Sequence, residues 1–260
     1  MPVALGQRTR FIFLNKRQRR AKPMANLDFH YCITPDQGER IVFSIVLDKD
    51  SLKSPCPLTT ERPHWTQLGF QQCSNCPLDP TEVSHCPIAV RLAPLADRLG
   101  DLRSYDRMNL EVTSERRVVS ARASAQEIVG SLMGLIIATS GCPHTELFRP
   151  MARFHLPLAE PGETFYRVAS MYRLAQYYRD RAGLDVDPSF DKLGILYERM
   201  EQVNLGIQKR LSAATQEDAA LNAIARLGAI ATLVPLSIEE ETEGFKSLFS
   251  VFLNDQVEAG

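Results

Sequence analysis

No apolar run in this chain is long enough to cross a bilayer. The most apolar stretch, Ile128 to Ala138, is 11 residues and contains two glycines, against about 20 for a spanning helix. It reads as a buried core helix, and no membrane partner is expected. Secretion is not expected either, since Phe11 to Leu14 is far shorter than the apolar region of at least about 7 residues a secretory signal needs. The sequence has no P-loop, dinucleotide fingerprint, nucleophile elbow or His-Glu-x-x-His motif, and no internal repeat. These absences point away from the enzyme classes that carry those motifs, and no catalytic residue is assigned.

Acidic residues are absent from the first 22 positions, which carry seven basic ones: Arg8, Arg10, Lys16, Arg17, Arg19, Arg20 and Lys22. The formal net charge of −1 therefore hides an acidic body behind a basic arm. Residues 1–26 read as that arm, with three readings: a nucleic-acid-binding tail, a targeting segment, or an extension upstream of a start at Met24. The 44 % hydrophobic content supports a core without disulfides. Six cysteines with no secretory segment fit a reducing, cytoplasmic compartment, where clustered thiols bind metal more often than they pair.

The cysteines are the main chemical signal. Cys73-Ser74-Asn75-Cys76 is a Cys-x-x-Cys pair, Cys86 follows with nine residues between, and Cys142 stands in Ser140-Gly141-Cys142-Pro143. Two cysteines at this spacing can turn both thiolates onto one ion, and two more complete a tetrahedral shell. The ligand set expected is Cys73, Cys76, Cys86 and Cys142, with His85, His144, Cys56 and His64 as substitutes for the fourth position. Zinc suits a closed four-thiolate site. The alternative is an iron–sulfur cluster, because Cys76, Cys86 and Cys142 each precede proline. A thioredoxin-like redox pair is disfavoured: Pro77 and Pro80 follow the pair where a helix should begin.

Around this signal the pattern is that of an α+β protein, an N-terminal antiparallel sheet with a cysteine-rich metal knuckle followed by a C-terminal helical bundle. Strands are expected at Leu27–Ile33 and Ile41–Leu47, which alternate about the turn Pro35-Asp36-Gln37-Gly38, and at Met108–Thr113 and Arg117–Ala121. Residues 27–123 form the sheet part and 124–260 the bundle, the two packing as one unit. Helices are expected at 125–139 (capped by Ser124), about 163–182, 189–212 and 217–233. A last one begins near 238 and buries Phe245, Leu248, Phe249 and Phe252.

Two further places could bind something. The proline-rich connection Pro143 to Gly162 offers Arg149, Arg153 and His155 as an anion or partner contact. The helix near 163–182 interleaves tyrosines with arginines, a pattern that can serve nucleic acid, although its spacing is better explained by a packing face of Phe165, Val168, Tyr172 and Ala175. Asn204 interrupts the apolar stripe of the 189–212 helix and reads as a register-fixing group. The functional expectation is a zinc-binding protein with a binding or regulatory role and a protein partner; an iron–sulfur redox protein and a nucleic-acid-binding protein are the alternatives.

Overall fold

The computed structural model describes residues 26–54, 62–99, 102–214, 221–222, 224–225, 227–228 and 243–253. The basic arm, Cys56 and most of the expected 217–233 helix with its successor's cap lie outside the described residues.

Four strands, β1 (Asn26–Pro35), β2 (Ile41–Asp48), β3 (Arg107–Ser114) and β4 (Val118–Ser124), form one antiparallel sheet in the order β2-β1-β3-β4. Its register follows from period-two alternation, because a slip of one residue would turn every apolar side chain to water. Leu27 faces Leu47, Phe29 faces Ile45 and Tyr31 faces Phe43 on one side of β1. On the other, Tyr31 faces Val112 and Ile33 faces Leu110. Gly38, at φ +108°, takes the left-handed backbone that the β1–β2 turn requires.

The apolar face of this sheet shares one core with α1 (Pro87–Arg98) and α2 (Ala125–Thr139), and with Val203, Ile207 and Leu211 of α5 (Asp191–Ala214). Among the described residues, then, the sheet and the helical half are joined through continuous burial. Helix α2 starts where Glu127 turns back to accept the Ser124 N–H at 2.9 Å and the Ser124 hydroxyl at 2.7 Å, the reciprocal arrangement expected of Ser-x-x-Glu. It ends before Gly141, whose φ of +92° lets the chain turn sharply into Cys142.

The connection after Cys142 is more ordered than its four prolines suggest. It contains the short helix α3 (Arg149–Arg153) and leads into α4 (Pro161–Arg181). A second cluster, Val168 and Tyr172 of α4 with Phe190, Leu193 and Tyr197, closes the α4–α5 pair, and Met200 touches both cores. Asp187 pins the turn between these helices. Burial alone would raise its pKa, yet bonds from the Tyr172 hydroxyl, the Lys192 N–H and Ser189 hold it down at about 2. The aromatic–arginine pattern of α4 is spent locally: Arg173 lies 4.1 Å over the Phe190 ring, and Arg179 donates to the Asp185 carbonyl.

The C-terminal aromatics differ from expectation. Phe245 stacks on Phe165 of α4, but Leu248 and Phe252 are 67 % and 75 % exposed. The described segment there is short, helical at 243–245, then a tighter turn at Lys246–Phe249 and a last turn at Ser250–Leu253, so it lays Phe245 and Phe249 on Phe165 and Tyr166 of α4 rather than burying an amphipathic face.

Candidate metal centre

The four cysteines singled out by spacing come from three separate places in the chain and meet in one neighbourhood. Cys73 and Cys76 lie on a tight turn in which the Cys76 N–H donates to the Cys73 carbonyl at 3.1 Å. Cys86 sits at the N-cap of α1, with Pro87 filling the first helical position. Cys142 follows the end of α2, its N–H donating to Ser140 Oγ at 3.2 Å. Their electrostatics show the convergence: burial, then the neighbouring Cys86 and Cys76, pushes the Cys73 thiol up to about 11. Cys142 is pushed up to about 11 by burial against the opposing His144 N–H, with Cys86, Cys73 and Cys76 adding to the rise.

The gathered knuckle expected from the sequence is nevertheless not formed. Among the described residues no group of three or more His, Cys, Asp or Glu side chains is close enough together to hold an ion. The sulfurs pack with the apolar interior instead: Cys86 and Cys142 belong to the main core with Cys76 beside it, where a thiol behaves as a small apolar group. The substitute ligands are engaged elsewhere: His144 Nε2 donates to the Asn75 carbonyl at 2.7 Å, His85 Nδ1 meets Thr66 Oγ1 at 2.9 Å, and His64 packs edge-on against Phe70.

Helix α5 holds the cysteine turn from the other side. Ser74 Oγ donates to Gln202 Oε1 at 2.9 Å, and Asn75 Nδ2 donates to the Arg199 carbonyl at 3.0 Å. About two turns further on, Arg210 is 1 % exposed and donates to the carbonyls of Trp65, Gln67 and Leu68 at 2.9, 2.7 and 2.7 Å. Its Nε has no partner, and among the described residues no carboxylate pairs with it. Its positive charge acts on Cys73, opposing the rise of that thiol's pKa. Sequence reading missed Arg210 because an arginine on an amphipathic helix normally marks the wet face.

Gly206 was missed for a similar reason. A Cβ there would overlap Cys73 Sγ and lie 3.3 Å from Cys73 Cβ, so glycine is what allows the cysteine turn to approach α5. Gly206→Ala would ordinarily stabilise a helix interior by about 1 kcal/mol. Here it is expected to destabilise the protein by about 1–3 kcal/mol through overpacking, as read from the urea denaturation midpoint.

The second candidate set, Arg149, Arg153 and His155, does not converge on a common anion point. Arg149 pairs with Glu146, and Arg153 lies 5.9 Å over the Phe154 ring. His155 turns inward, where its Nε2 meets the Tyr31 hydroxyl and its ring stands edge-on to Phe29. Local structure explains the separation, because α3 spends both arginines on neighbours within a few residues. The His155 ring is enclosed by protein except where it meets a cavity between α2 and the following helices. That burial, with Arg167 nearby, pushes its pKa down to about 3, and burial raises Tyr31 well above the ordinary tyrosine range.

The sign of the resulting pH effect is fixed. Between the unfolded value near 6.5 and the folded value of about 3, the unfolded chain binds the extra proton, so the stabilisation is complete above this window and lost as pH falls through it. Denaturation at about pH 7 and pH 5 should show His155→Gln losing less stability over that interval than the parent, by about 2 kcal/mol. Equal losses would show that the imidazole stays solvated.

Among the described residues no helix is long and apolar enough to cross a membrane. No curated protein and no solved structure matches the chain. Residues 19–250, which contain the sheet, all four of the converging cysteines and the helices that pack on them, match DUF6901, a domain of unknown function, and the chain belongs to that family.

Proposed function

We propose that this chain is a metal-binding protein of a reducing, cytoplasmic compartment, in which Cys73, Cys76, Cys86 and Cys142 close on one zinc ion. The ion fastens the proline-rich segment to the end of α2 and the side of α5, and the rigid helical surface so made serves a binding or regulatory role toward a protein partner. The observation that carries this reading is the mutual electrostatic influence of the four thiols, with Arg210, a buried cation without a carboxylate partner among the described residues, acting on Cys73. Four thiolates around a divalent ion leave a net charge of about −2, which a buried guanidinium offsets; four neutral thiols give that cation nothing to balance. Binding would lower the thiol pKa values, release protons and draw the sulfurs inward over a short distance.

The alternative occupant is an iron–sulfur cluster, favoured by the Cys-Pro steps at Cys76, Cys86 and Cys142. Anaerobic purification followed by absorption spectroscopy and metal analysis separates the two. About one zinc per chain supports the proposal. A brown protein containing iron and sulfide replaces zinc by a cluster, and a metal-free protein whose stability is unchanged by added zinc overturns both.

A further inference from the structure

A cavity of about 640 Å³ lies between α2, α4 and α5, within the range of small-molecule sites. Its floor is a stripe of α2 in which the small residues Gly130, Ser131, Gly134 and Ala138 line it alongside Leu135 and Ile137, at the spacing of one helix face, while Ile128, Leu132 and Ile136 on the other side are buried in the main core. The space exists because these residues are small. Close packing does not demand glycine at Gly134, since a Cβ would meet only Leu227 at 3.9 Å. A glycine inside a helix costs about 1 kcal/mol relative to alanine, so the room is kept at the expense of helix stability.

The remaining walls are mostly apolar, with Phe148, Met151, Leu156 and Met200 among them. The charged groups at the wall are already committed, except one. Arg107 faces Glu127 at 3.9 Å, Arg122 pairs with Asp36 at 2.6 Å, and Glu160 caps α4. Arg167 spends Nη2 on the carbonyls of Met151 and Phe154, both at 2.9 Å. Among the described residues it makes no ion pair: Glu163, one turn away, acts on it without reaching ion-pair distance. Tyr197 of α5 is close enough to interact electrostatically with this guanidinium. Seven residues further along α5, about 10 Å by helical rise, Asn204 also lines the cavity. It is 4 % exposed and its Oδ1 has no hydrogen-bond partner, an arrangement costly unless something fills it.

We propose that this cavity binds a monoanionic amphiphile of the hydroxylated fatty-acid class. Its carboxylate meets Arg167 and Tyr197, its apolar chain lies along the small-residue stripe of α2, and its mid-chain hydroxyl donates to Asn204. The proposal does not rest on the metal, and its cavity variants leave every cysteine in place.

The test is calorimetric titration of the full chain, below micellar concentrations, with a mid-chain hydroxylated long-chain fatty acid, its unhydroxylated parent and the matching fatty alcohol. The hydroxylated acid should bind at least about tenfold more tightly than either comparison compound, the difference one charge-assisted or buried hydrogen bond makes. Asn204→Leu should erase the preference for the hydroxylated acid, and Arg167→Gln the preference for acid over alcohol. Because Arg167 also holds two carbonyls, Gly134→Leu gives an independent reading: it fills the floor without removing a polar contact and should abolish binding while thermal unfolding stays cooperative. Equal binding of acid and alcohol, binding unaffected by Gly134→Leu, or no binding by the parent protein would overturn the proposal.

Discussion

Cys142→Ser is expected to strip the metal from the protein and lower its Tm by about 10 °C. Of the four proposed ligands Cys142 is the farthest in sequence from the others, and it sits at the end of α2 rather than in the cysteine turn. A serine hydroxyl is a poor zinc ligand, so the ion would be left on three thiolates with an open position. What is lost is the long-range closure between the proline-rich segment and the helical half. A loss of about 4 kcal/mol, modest beside the binding energy of structural zinc, corresponds to that Tm shift in a chain of this size. Cys32→Ser is the control. Cys32 lies in β1 beside Arg40 and Thr34, and its replacement should leave metal content unchanged. Metal retained in Cys142→Ser would make the site local to Cys73, Cys76 and Cys86, with the two halves held by packing alone.

Arg210→Ala should destabilise the chain by about 4 kcal/mol, measured by urea denaturation. The substitution orphans the carbonyls of Trp65, Gln67 and Leu68, and each buried unsatisfied group costs about 1–3 kcal/mol, offset in part if water enters the space. It also removes the cation that acts on Cys73. Metal affinity should therefore fall together with stability. Arg210→Lys is expected to fall between the two, because an ammonium keeps the charge but cannot span three carbonyls as a planar guanidinium does. A change below about 1 kcal/mol in Arg210→Ala would mean that these carbonyls find other donors.

The sheet was readable because its rule is local. Alternation in Leu27–Ile33 and Ile41–Leu47 specifies faces and register together, and the pairing of Tyr31 with Phe43 and Val112 follows once β1 is central. Helix α2 was legible for the same reason, since Ser124 marks its start; the answering Glu127 was seen only in the structure. The spacing of Cys73, Cys76, Cys86 and Cys142 led to the expectation of a gathered knuckle, which the described residues do not form. Arg210, Gly206 and His155 were not legible. Each acquires its role from a segment far away in sequence: Arg210 from the carbonyls near Trp65, Gly206 from Cys73, His155 from Tyr31. Local pattern contains no information about such partners.

The cavity is a different case. Empty space has no motif, yet the small residues Gly130, Ser131, Gly134 and Ala138 recur on one face of α2, which was the available sign. Asn204 stood out in the sequence as a polar break in an apolar seam. Its Oδ1 is without a hydrogen-bond partner at the cavity wall, which is why the proposed ligand is given a donor there.

The central claim, that four thiolates close on one ion, is tested most directly by X-ray absorption at the zinc edge on the full chain loaded with one equivalent of zinc. The expected result is a coordination shell of four sulfurs at about 2.3 Å. A shell dominated by nitrogen or oxygen, or zinc lost on simple desalting, would contradict it.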